Sequence, residues 1–356
     1  MKKIDLVELI DCLNDEQIPF SEHCQMLDQF MVYCQTITDV EADVTFDAFA
    51  PDTHLPSGMA INPQSAAQCV SDYHRTIGFI RASFTAVEQL LTDKKSDDSS
   101  DNTSPNSLNL LYAGCGPYAT LMLALIVKFQ NSSIHFYLLD IHQSALDSVQ
   151  ILLDHFYIPD EIYSFYNKDA CVFVPPIKFD LIVAETMQKA LEQEPQFQLT
   201  ANLSQYLTTD GVFIPQSINL QLALMYWKQE LDVSKRNKAK QNKTDTTQFE
   251  RLKVGEVMCL TKNTTQNWLA KKVEADQTAY LDFALFYTPK LETQVNYDFV
   301  ILTQIQLFKN HYLEEYDSDL TLPTKLHDVS PAQSESQYQL KYELGSYPRF
   351  ELVLIR

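Results

Sequence analysis

Residues Leu108–Leu125 read LNLLYAGCGPYATLMLAL. An apolar run, a glycine pair and a second apolar run predict a buried strand, a tight turn and an apolar helix. The chain has only seven glycines in 356 residues, and Gly114 and Gly116 are two of them. Such a turn lets backbone approach a ligand closely, and the helix start that follows offers free N–H groups. The full dinucleotide fingerprint is absent, because Pro117 follows Gly116 and no third glycine comes after it.

Downstream the pattern keeps alternating. Ile134–Leu139 predicts a second strand, Gln143–Phe156 a helix, Ile162–Tyr166 a third strand and Phe179–Ala184 a fourth. A helix runs from Pro195 to about Leu207, Asp210-Gly211 reads as a turn, and Val212–Ile214 opens a fifth strand. Strands alternating with helices imply an α/β domain, a Rossmann-like parallel sheet covered on both faces.

Upstream, residues 1–40 read as helical, with Ser21 as a candidate cap. Residues 41–64 carry Pro51, Pro56, Gly58 and Pro63 and read as a connecting loop. Ala66–Leu91 predicts one amphipathic helix or a pair, and the polar stretch Asp93–Ser107 separates it from the first strand. After Pro215, short β-like runs at Ile218–Trp227, Leu252–Leu260, Tyr280–Tyr287, Phe299–Phe308, Tyr338–Tyr342 and Phe350–Ile355 predict a β-rich sandwich or barrel. The division is therefore 1–65 helical, 66–216 α/β and 217–356 β-rich. Leu231–Thr247 reads as an exposed loop, open as either a homodimer contact or an insertion.

The formal charge of −20 argues against nucleic acid as partner, since phosphate binding needs a basic face. It suits a cationic substrate or simple solubility. Seven scattered cysteines without a CxxC pair give no zinc or other metal pattern and no disulfide framework, and favour a reducing cytoplasm. The longest uninterrupted apolar run, Leu121–Val127, is too short to span a membrane.

In a doubly wound sheet, ligands bind beyond the carboxyl ends of the strands. Three candidate positions fall there: Ala113-Gly114-Cys115-Gly116, Asp140 and Asp169-Ala170. Asp140 lies 24 positions beyond Gly116, a spacing that suits a carboxylate accepting from both hydroxyls of a ribose. Capping of the next helix is the alternative for Asp140, and a polar turn is the alternative for Asp169.

The set Tyr112–Gly116, Asp140, Asp169 and Glu185 resembles class I S-adenosylmethionine-dependent methyltransferases. Tyr112 stands where those proteins carry an acid, and Tyr118 where they carry a third glycine. Phe179–Glu185 (FDLIVAE) with Met187 and Glu194 is similar to the strand and double-glutamate loop of protein arginine methyltransferases. Asp72-Tyr73-His74-Arg75-Thr76 resembles the helix that packs over their cofactor. The resemblance implies S-adenosyl-L-methionine as cofactor, held by Arg75, Tyr112, Ala113, Gly114, Cys115, Gly116, Asp140, Ile141, Asp169, Ala170 and Glu185. It implies Glu185 and Glu194 as catalytic residues, and Tyr73, Met187 and Gln188 as substrate-binding residues. The expected substrate is an amine, guanidine or peptide side chain on a small molecule or protein. No Thr-His-Trp segment follows in the β-rich part, and Thr186 replaces the usual aromatic. A small-molecule methyltransferase and an inactive cofactor-binding or scaffold subunit therefore stand as alternatives.

Overall fold

In the computed structural model, residues 4–42, 52–96, 107–230, 251–264, 272–273, 279–291 and 296–355 are described. Two helices come first, α1 (Leu6–Asn14) and α2 (Phe20–Thr38). Asp5 caps α1 by accepting from the N–H groups of Val7 and Glu8. Helix α2 starts at Pro19 without a side-chain cap, so Ser21 lies inside its first turn rather than at its cap. Pro19 there supplies a fixed φ in place of a capping hydroxyl.

The stretch read as a plain connecting loop contains a hairpin, β1 (Thr53–Leu55) and β2 (Gly58–Ala60). Helix α3 (Pro63–Gln68) follows, capped by Asn62, and then the long helix α4 (Tyr73–Ser96). Most of the polar stretch Asp93–Ser107, residues 97–106, lies outside the described residues.

The α/β unit then runs β3 (Leu108–Ala113), α5 (Leu123–Phe129), β4 (Ile134–Asp140), α6 (Gln143–His155), β5 (Tyr163–Asn167), β6 (Phe179–Ala184), α7 (Gln196–Leu203) and β7 (Leu207–Ile214). All five strands pair in parallel, in the order β5-β4-β3-β6-β7. The topological switch therefore lies beside β3, the strand that enters the glycine turn. Leu110 and Tyr112 face one core with α4, α5 and α6, while Leu111 and Ala113 face the other with α7. This alternation is the two-residue period of a strand covered on both faces. Asp210-Gly211 is not a turn but part of β7. The register shifts between Phe179 and Leu181, so β7 absorbs the extra residues as an irregularity in the ladder.

The remainder comprises β8 (Ser217–Met225), α8 (Trp227–Glu230), β9 (Leu252–Leu260), β10 (Lys272–Val273), β11 (Ala279–Tyr287), β12 (Tyr297–Phe308), β13 (His311–Leu313), β14 (Thr324–Val329), β15 (Gln337–Leu344) and β16 (Arg349–Leu354). These strands make two sheets, β13-β12-β8-β9 with β14 added to β12, and β10-β11-β15-β16. The sheets pack through rings such as Phe299 and Tyr338, with centroids 4.9 Å apart. Among the described residues neither sheet closes on itself, so the barrel expectation gives way to packed open sheets. The loop expected at Leu231–Thr247 lies outside the described residues. Among the described residues no helix is long and apolar enough to cross a membrane.

The β-rich part is tied back to the α/β part. Asp72 Oδ2 accepts from Ser318 Oγ at 2.6 Å and from the Asp319 N–H at 3.1 Å. Tyr342, fully buried on β15, donates its hydroxyl to Leu191 O at 2.7 Å. Removing a buried donor leaves its acceptor dry and unpaired, at a cost of about 1–3 kcal/mol. Tyr342→Phe is expected to lose stability in that range in urea unfolding, with an unchanged m-value.

Candidate functional site

A cleft of about 700 Å³ opens at the carboxyl ends of the parallel strands. Its floor is the glycine turn. Gly114 has φ +71°, and a Cβ there would lie 2.4 Å from Thr186 Cγ2, so another residue would be strained and would have to displace the Thr186 side chain. The N–H groups of Gly114 and Cys115 both reach Leu139 O, at 2.8 and 3.2 Å, which pins the turn to the end of β4.

Asp140 ends β4 and faces the cleft. Its Oδ2 accepts from Gly116 N–H at 2.9 Å, and its Oδ1 accepts from His142 N–H at 2.9 Å. The N-cap of α6 is His142, so Asp140 orients the approach to the helix without capping its first turn. Each carboxylate oxygen has a second acceptor site beyond these bonds, with His142 Nδ1 lying 3.5 Å from Oδ1. Asp169 Oδ1 accepts from Cys171 N–H at 2.8 Å, the contact of a polar turn residue, and the residue lines the cleft.

Across the cleft, Arg75 on α4 forms an ion pair with Glu185 at the end of β6. Both side chains are largely buried. Arg75 Nη1 also reaches Cys69 O at 3.4 Å, while Nε is buried with no hydrogen-bond partner among the described residues. Glu194 is 7% exposed, and its carboxyl is pushed up to about 7. Burial is the main cause and Asp52 adds to it, while the Arg75 guanidinium opposes them. Burial raises Glu192 as well, with Lys189 partly offsetting it.

The loop carrying the glutamates is strained. Ala190, Leu191 and Gln193 have φ of 53°, 56° and 64°, in the left-handed region. Each such residue costs on the order of 1 kcal/mol or more. Neighbours hold the loop in this shape. Gln193 N–H donates to Pro348 O at 2.7 Å, and Met59 N–H donates to Gln193 O at 2.8 Å. The fully buried Gln196 accepts from Thr186 N–H at 3.1 Å and donates to Ala184 O at 3.2 Å. Pro195, rather than Glu194, occupies the N-cap of α7. Glu194 is thus free of that capping role.

The cleft brings together Arg75, Tyr112, Gly114, Cys115, Gly116, Asp140, Ile141, Asp169, Ala170, Glu185, Met187, Gln188 and Glu194. Two of the expected site residues, Ala113 and Tyr73, do not line it. Ala113 points into the core against α7, because it alternates with Tyr112 along β3. Tyr73 turns away and donates to Asp28 on α2 at 2.6 Å. Tyr118 donates to Val40 O at 2.5 Å, so the residue in the third-glycine position faces the N-terminal layer. His74 stacks on Phe20, with ring centroids 4.1 Å apart.

The thiols are not poised as nucleophiles. Burial raises Cys115 well above the usual range and pushes Cys171 up to about 12. Sequence reading missed Met59, Leu320 and Leu322, which also line the cleft, as does Asp72 of the segment before Arg75. Gly58, one of seven glycines, was the available signal for the hairpin that carries Met59.

The sequence matches no protein-family model and no curated protein. Among solved structures the chain is similar to a chain of the Trypanosoma brucei PRMT1 enzyme–prozyme heterotetrameric complex with AdoHcy. The identity is 12% and the TM-score 0.45, over 82% of this chain and 98% of that one. It is also similar to Arabidopsis thaliana protein arginine methyltransferase 10, solved in an open conformation. There the identity is 11% and the TM-score 0.46, over 82% of this chain and 98% of that one.

The raised Glu194 makes a signed prediction. The folded state keeps this proton up to about pH 7, whereas a free carboxyl loses it near 4.5. The contribution of Glu194 to stability therefore falls as pH rises from about 4.5 to about 7, then stays constant. Glu194→Gln is expected to match wild type below that window and to exceed it above, by on the order of 2–3 kcal/mol. Thermal or urea unfolding of both proteins across pH 4.5–8 reads the difference.

Proposed function

We propose that the protein is an S-adenosylmethionine-dependent methyltransferase acting on an amine, guanidine or peptide side chain that carries positive charge. The observation that carries this reading is one guanidinium, Arg75, shared between two buried carboxyls, Glu185 and Glu194, across a cleft from Asp140. The residues fit the cofactor. Asp140 offers paired lone pairs suited to a vicinal diol, and the orphaned Arg75 Nε offers a donor suited to a carboxylate. The φ +71° of Gly114 keeps the turn clear of a side chain.

When bound, the cofactor supplies an electrophilic methyl group on a sulfonium. The chain's part is alignment more than acid–base power, and positioning of this kind can lower a barrier by several kcal/mol. Glu185 and Glu194 would hold and orient a cationic acceptor. Glu194, with its raised proton affinity, can take the proton that a charged amine sheds before it attacks. Tyr112 and Met187, both buried, keep that end of the cleft dry.

A second reading, a small-molecule methyltransferase, is favoured by one observation. Met59, Leu320 and Leu322 line the cleft as an apolar wall suited to a compact acceptor.

Calorimetric titration with S-adenosylhomocysteine tests the proposal. Wild type is expected to bind, and Asp140→Ala to weaken binding tenfold or more. Absence of binding, or an Asp140→Ala protein that binds like wild type, would overturn the reading. Glu194→Gln is expected to keep binding within a few-fold while methyl transfer to a panel of amines, guanidines and Arg- or Lys-bearing peptides falls at least a hundredfold.

A further inference from the structure

The β1–β2 hairpin forms a wall of the cleft that belongs to none of the sheet strands. It is fastened at both ends. At its start, Thr53 Oγ1 lies 3.0 Å from His142 Nε2. The same imidazole places Nδ1 3.5 Å from Asp140 Oδ1, the oxygen that also accepts from the His142 N–H. At its far end, Met59 N–H donates to Gln193 O at 2.8 Å, immediately before Glu194. The hairpin turn presses on the same segment. A Cβ on Gly58 (φ +148°) would lie 2.9 Å from Gln193 O and 3.0 Å from Pro195 N. Asp52, one residue before β1, is itself fixed by the Asn62 N–H at 2.8 Å and Asn62 Nδ2 at 3.1 Å.

A continuous path of hydrogen bonds and backbone thus runs from Asp140 through His142, Thr53 and three residues of paired strand to Gln193. This path is separate from the sheet and from the glycine turn, which also lie between the Asp140 end of β4 and the glutamate loop. The loop needs outside support, because its left-handed residues are costly to hold.

We propose that the β1–β2 hairpin is a strap, with Thr53 and His142 as positioning residues, that couples occupancy of Asp140 to the placement of Glu194. The coupling to a ligand rests on the methyltransferase reading, whereas the mechanical link does not. A ligand that engages Asp140 tightens the imidazole against Thr53, and the hairpin then fixes Gln193 and the glutamate beside it. Cofactor binding in this way prepares the acceptor side of the cleft.

Hydrogen exchange of the full chain tests both parts. The Met59 amide reports the grip on Gln193, and the amides of Leu110 and Leu111 on β3 serve as reference. Thr53→Val is expected to speed Met59 exchange at least tenfold with the reference amides unchanged, His142→Ala to do the same, and Thr53→Ser to restore the wild-type rate. Unchanged Met59 exchange in both Thr53→Val and His142→Ala would overturn the strap. Added S-adenosylhomocysteine is expected to slow Met59 exchange in wild type and not in Thr53→Val. If it binds and slows both equally, the coupling is wrong. If it fails to bind at all, the methyltransferase reading fails while the strap is still judged by the ligand-free rates.

Discussion

One buried guanidinium faces two buried carboxyls, and that imbalance governs the cleft. Taking a charge out of water costs several kcal/mol unless a partner answers it. Arg75 answers Glu185 directly. Glu194 also feels Arg75, yet burial and Asp52 outweigh that attraction and its carboxyl retains a proton toward neutrality. With that proton in place the three groups are balanced, and only its loss leaves one carboxylate without a cation. A cation entering the cleft would then complete the set, so selection for charge and selection for protonation state become the same property of one side chain.

The supporting structure exists to hold this cluster. The loop between β6 and α7 carries left-handed residues that a free chain would avoid. Gln196 from within α7, Pro348 before β16, Tyr342 from β15 and Met59 from the hairpin all bond to it or to its ends. The β1–β2 hairpin, the β15–β16 region and the first residue of α7 thus converge on about ten residues. Local strain is tolerated because it is over-determined from several sides.

What could be read from sequence was what local chemistry encodes. The glycine turn, the acid closing β4 and the acid closing β6 each follow an apolar run, and their places in the cleft depend only on strand ends. Facing was harder to read. Tyr73, Ala113 and Tyr118 lie within a few residues of true cleft residues but point elsewhere, toward Asp28, the α7 core and Val40. Those directions are set by neighbours distant in sequence. The hairpin escaped notice because three-residue strands leave almost no periodicity to read. The bond from Ser318 to Asp72 spans 246 positions and has no local signature. Closure of the β-rich part into a barrel was equally illegible, since a strand pattern specifies faces and not which edges meet.

Helix α4 gives the molecule a rod. Asp72, just before its first turn, is fastened to Ser318, and Thr85, further along it, lies 3.1 Å from His311. Those two fastenings are separated by about 20 Å of helix. The β-rich part is pinned at these two points along one rod and again, away from it, at Leu191 and Gln193, so that rolling about the rod is resisted as well as tilting. Arg75 sits one turn from the first pin. The charged centre of the cleft therefore lies beside a joint between the two halves of the chain, and shares its helix with both fastenings.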